Sequence, residues 1–205
     1  MFDSHAATLG EARTRPATRS GGVAGNARLT GAVAVALLVL LAAEGATIPF
    51  IGQLLGPHLF IGLMLIPPVA LKLGSVGWRF ARYYTHDEPY VRKGPPPIVL
   101  RLLAPGVVIT TLALFGTGVA LLFAGPPSNT LIFAHKLSFI AWVALMSLHV
   151  LGHLLELPGL ASADWRRRAG ARIGGAGVRA GALLAALGAG VALGFVALAV
   201  GSSWL

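Results

Sequence analysis

The side chains of this chain best suited to chemistry are its histidines, and their spacing is regular. His135 and His149 stand 14 residues apart, and His153 follows four residues later. At about 3.6 residues per turn, 14 residues is close to four full turns, so the three imidazoles share one helical face, with His135 and His149 about 21 Å apart along its axis. The same interval joins His58 to Lys72. Neutral imidazole is the commonest protein ligand for metals. The chain has no cysteine, which excludes disulfides, iron–sulfur clusters, thiolate-bound metals and covalently attached c-type haem. Any metal or redox chemistry must then rest on His, carboxylates or Lys.

The elements that position these residues are membrane helices. Of 205 residues, 56% are hydrophobic and 11% charged, with mean hydropathy +0.78; a soluble domain carries about 25% charged residues. An ionisable residue at membrane depth marks a functional site by default. Five apolar runs, at about 30–51, 57–77, 99–124, 130–156 and 180–200, reach the roughly 20 residues that a spanning helix needs. The expected fold is an all-α integral membrane bundle of five transmembrane helices. It divides into a disordered tail (1–28), a four-helix core (29–157), a basic loop (158–178) and a fifth helix (179–205).

The net charge of +9 follows topology rather than a nucleic-acid surface. Arg13, Arg15, Arg19 and Arg28 precede the first run. Arg79, Arg82, Arg92, Lys93 and Arg101 lie between or beside the second and third, and Arg166, Arg167, Arg168, Arg172 and Arg179 between the fourth and fifth. The connections around 52–57 and 125–130 carry none. By the positive-inside rule the N-terminus is cytoplasmic and the C-terminus outside. Membrane lipids, anionic ones included, are the expected contact of this charge.

Topology turns sequence position into depth. The second and fourth runs both descend from the outer face, so His58 and His135 lie near the outer surface, and Lys72, His149 and His153 near the inner one. Depth-matched imidazoles on separate helices are the arrangement that grips one metalloporphyrin, and helix-bundle interiors are where such cofactors are built in. Gly62, one turn below His58, leaves room for a flat macrocycle. A second, inner site would use His149, with His153 as competitor, and Lys72 as a ligand, a propionate partner or a residue snorkelling inward. Arg79, Arg82 and Arg101 are candidates for inner propionates and Lys136 for an outer one. Glu44 reads as a snorkelling or neutral carboxylate, a partner for Lys136, or a proton-handling group. Pro67 and Pro68 should kink the second helix, and the small residues Gly181, Ala185, Gly190 and Gly194 suit close packing of the fifth.

On His58-Leu-Phe-Ile-Gly62 opening one span and His135-x13-His149 in another, the chain resembles the prokaryotic membrane b-type cytochromes. These are haem-bearing anchor subunits of respiratory and ferric-reductase-like oxidoreductases, and the likeness covers about 30–157. The stretch GPPPIVLRLLAPGVVITTLALFGTGVALL is similar to membrane proteins of high-GC bacteria. The resemblance implies haem b, one or two per chain, and electrons passing between membrane quinone and a separate soluble or membrane-bound redox subunit. It also implies residence in the bacterial cytoplasmic membrane. Position 72, where the family has a histidine, holds Lys72, so the second haem stays open.

Three other readings compete. His149, His153 and Glu156 form HxxxHxxE on one face, suited to non-haem Zn or Fe and a metal-dependent membrane enzyme. The broken second span with Lys72 suits a transporter. The histidines can also be packed or interfacial residues of a structural subunit.

Overall fold

The computed structural model describes residues 22–95, 98–126, 128–166 and 175–205, with backbone alone over 153–166. Among them every regular element is helical. The order is α1 (Gly22–Thr47), a 3-10 turn (Ile48–Phe50), α2 (Ile51–Met64), α3 (Ile66–Tyr84), α4 (Glu88–Lys93), α5 (Ile98–Ala124), α6 (Asn129–Arg166), α7 (Ala176–Val200) and a closing 3-10 turn (Gly201–Trp204). Four stretches are long and apolar enough to cross a membrane: Gly22–Tyr84, Ile98–Ala124, Asn129–Gly152 and Ala176–Trp204.

The first of these stretches doubles back. Asn26 Nδ2 donates to the Ser75 carbonyl at 2.9 Å and Lys72 Nζ to the Thr30 carbonyl at 2.8 Å. At the other end Glu44 and Thr47 meet His58. Helix α1 is therefore antiparallel to α2 and α3, and the turn at Ile48–Phe50, with Pro49 inside it, reverses the chain. Val33 and Leu37 of α1 close the core with Leu65, which lies between α2 and α3. Phe115 of α5 and Leu183 of α7 pack against the same cluster.

The expected proline break falls at Leu65, where α2 gives way to α3. It is local, because Leu65 N–H still reaches the Ile61 carbonyl and Val69 N–H the Leu65 carbonyl. Pro67 and Pro68 have no N–H to give the carbonyls of Leu63 and Met64, four residues back. Gly190 of α7 fills that gap: any Cβ there would overlap the Met64 carbonyl oxygen, and one on Gly194 would stand 2.7 Å from the Phe60 ring. The small-residue stripe thus docks α7 on α2, whereas Gly181 faces open space. A further distortion at Leu54 (φ −110°, ψ 23°) precedes Pro57.

Helices α5 and α6 form a second antiparallel pair. Gly125 (φ +66°) turns the chain between them in a conformation glycine adopts without strain. Leu145 packs over Gly106, Leu100 over Gly152, and Trp142 Nε1 donates to Thr111 Oγ1 at 3.0 Å. This pair is tied to the first group at both ends. Arg101 donates to the Tyr84 hydroxyl at 2.8 Å at one end, and Trp204 Nε1 to the Leu121 carbonyl at 3.1 Å at the other.

Two expected boundaries need correction. Helix α1 begins at Gly22, so the end of the tail expected over 1–28 is helical; 1–21 lie outside the described residues. Helix α6 runs to Arg166 and α7 starts at Ala176, so the loop expected over 158–178 is mostly helix where described. Hydropathy marks where the apolar run stops, whereas backbone hydrogen bonding carries the helix further.

Candidate functional site

His58 follows Pro57 on α2, and His135 lies in the second turn of α6. Neither helix packs extensively on the other; α6 lies along α5, and α2 is held by α1 and α7. Across that gap the two imidazoles meet, with ring centroids 6.5 Å apart and planes at 84°.

Hydrogen bonding fixes the protonation of each ring. His58 Nδ1 lies 2.9 Å from Thr47 Oγ1 and 3.0 Å from Glu44 Oε1. Thr47 has a single hydroxyl proton, and it goes to the Glu44 carbonyl at 2.6 Å. Its oxygen can then only accept, so Nδ1 carries the hydrogen and Nε2 the lone pair. The same logic recurs on the other helix. His135 Nδ1 is 3.0 Å from Thr117 Oγ1, whose proton goes to the Ala113 carbonyl at 2.7 Å, with that of Leu114 at 3.1 Å. His135 therefore also donates from Nδ1 and keeps its lone pair on Nε2. A partner on one ring nitrogen that frees the other for a metal is the usual support of a ligating histidine. Gly118, next to that threonine, makes space for the ring, since a Cβ there would be 3.2 Å from His135 Cε1.

Two metal–nitrogen bonds of about 2 Å, plus about 1 Å from each nitrogen to its ring centre, would put two imidazoles on one metal with centroids about 6 Å apart. The 6.5 Å seen here is of that size.

The remaining candidate residues occupy other surroundings. Gly62 has Glu44 Oε1 3.3 Å from where a Cβ would stand, so its space admits the carboxylate. Glu44 pairs with His58, and Lys136 is exposed. Lys72 spends its amine on the Thr30 carbonyl in a polar seam where Thr30 Oγ1 lies 2.9 Å from Ser75 Oγ. His149 is half-buried on α6, four turns from His135. The side chains of His153 and Glu156, and with them the HxxxHxxE reading, lie outside the described residues. Among the described residues no group of three or more His, Asp or Glu could hold a metal ion. Of the arginines considered for propionates, Arg82 pairs with Asp87, Arg101 bonds Tyr84, and Arg79 Nη2 reaches the Gly94 carbonyl at 3.4 Å. An open hollow of about 350 Å³ lies away from the histidine pair, on the loop, lined by His86, Glu88, Val91 and Arg92.

Sequence reasoning did not single out Thr47, Thr117 or Gly118 as supports of the two rings. Comparison with protein-family models, with curated proteins and with solved structures finds no match for this chain.

Proposed function

We propose that the protein is a membrane b-type cytochrome of five crossings, with its N-terminus cytoplasmic, passing electrons between quinone and a separate redox subunit. The observation that carries this reading is the close pair His58 and His135, each with Nδ1 on a threonine hydroxyl, which would leave Nε2 to serve as the metal donor. The fold-back of Gly22–Tyr84 supports two crossings within that stretch. With three further apolar stretches, five crossings would set the basic clusters of the sequence on one side.

When bound, haem b supplies a one-electron carrier whose potential its axial ligands tune. His58 and His135 would hold it. Thr47 and Thr117 orient the rings and fix the tautomer. Glu44, 3.0 Å from His58 Nδ1, would help hold that ring in place. A second haem would need His149 and a partner other than Lys72 as it stands here, so one haem per chain is the proposed stoichiometry.

The test is a dithionite-reduced minus oxidised spectrum of the purified protein, with haem quantified per chain. Sharp b-type bands at about one haem per chain, lost in His135→Ala and His58→Ala, are expected from a bis-imidazole site. A haem-replete preparation without a Soret band overturns the proposal.

A further inference from the structure

The five cations between α3 and the start of α5 are not equivalent. Arg82 pairs with Asp87 and lies 5.3 Å over the Trp78 ring. Arg101 is bonded to Tyr84, and Arg92 shares its hollow with Glu88. That leaves Arg79 and Lys93. Tyr90, buried at 7% exposure, anchors α4, and Gly94 turns away at φ +77° with its carbonyl on the Arg79 guanidinium. This backbone path sets Lys93 beside Arg79. Among the described residues neither cation has a carboxylate partner. Burial, and then the neighbouring Arg79 guanidinium, lower the pKa of Lys93.

Two adjacent cations with no counter-charge make a receptor for an anion, and their surroundings say which kind. Trp78 and Phe80 stand 55% and 62% exposed on the same end of α3, the amphipathic belt that marks headgroup level. Ile98 and Leu102 at the start of α5 are exposed too, at 63% and 75%. A free anion has no use for that apolar surface, whereas acyl chains do.

We propose that Arg79 and Lys93 form a binding site for the phosphodiester headgroup of an anionic phospholipid, with its chains against the exposed face at the start of α5. The guanidinium offers a planar fork to two phosphate oxygens and the ammonium a third contact. The site is independent of any haem.

The test uses the full chain in nanodiscs of phosphatidylcholine containing a minor share of phosphatidylglycerol, with retained lipid measured by native mass spectrometry. Two surface cations acting together should enrich phosphatidylglycerol on the protein about thirtyfold over the bulk mixture. Arg79→Gln/Lys93→Gln should return it to the bulk ratio. Lys93→Gln alone, a surface change that leaves the helices intact, should lose a large part of it, and Arg92→Gln should stay within about twofold of the wild type. A double variant that still enriches, or an Arg92→Gln variant that loses as much as the double, overturns the site. So does displacement of the lipid by millimolar inorganic phosphate, which would mark a free-anion site.

Discussion

Two threonines decide how the histidine pair behaves. A hydroxyl that has already given its proton to a helix carbonyl is an acceptor only, so Thr47 and Thr117 impose the same tautomer on rings held by different helices. Removing either support should weaken haem binding by about 10- to 100-fold while leaving the ligands present. Titration of haem into apoprotein in detergent, comparing Thr47→Val and Thr117→Val with Thr117→Ser, checks this; Ser should retain most of the affinity, and a Val variant that binds like the wild type would refute the tautomer argument. Gly118→Val should cost still more, because its Cβ alone would crowd His135 Cε1 at 3.2 Å. The approach of His58 to His135 was legible in the sequence, since both are ionisable residues in apolar runs. Their supports were harder to see, since threonine is common in membrane helices and its meaning here depends on hairpin register. A register count contains the clue. Taking Pro126 as the centre of the turn between α5 and α6 places Thr117 opposite His135, which is where they meet.

At the scale of the helix, the weak point of α2 and α3 is also where α7 is held. Prolines 67 and 68 strip two carbonyls of their donors, and Gly190 lets the α7 backbone come close enough to cover one of them. Gly190→Leu should therefore lower stability by about 1–3 kcal/mol or more, as overpacking does. Gly181→Leu, which meets nothing within 4 Å, should stay within about 0.5 kcal/mol of the wild type. Thermal unfolding in detergent separates the two, and equal losses would count against this account of the α7 contact. The pairing of Gly190 with Gly194 was visible in the sequence as small residues at helical spacing. What could not be read was the partner, because a glycine stripe states how close a neighbour comes and not which neighbour it is. Helix ends were read poorly for a related reason. The apolar run of α6 stops near Glu156, yet the helix continues to Arg166.

For the whole molecule, the proposed odd number of crossings puts the two chain ends on opposite sides of the membrane. A reporter active only outside the cytoplasm should work when fused after Leu205 and fail before Met1, and a cytoplasmic fluorophore should show the reverse. Equal signals from both ends would sink the five-crossing arrangement. Composition made the membrane assignment plain, whereas the division into a group of α1, α2, α3 and α7 and a pair of α5 and α6 was not legible, because α7 skips past its sequence neighbours to reach α2. The closing turn acts as a clasp. Gly201 sits against Leu59 and Leu122, and Trp204 bonds the Leu121 carbonyl, so a few residues after α7 join the two groups beside the histidine pair. Without that clasp both groups of helices would stand in the bilayer with the site between them unlatched.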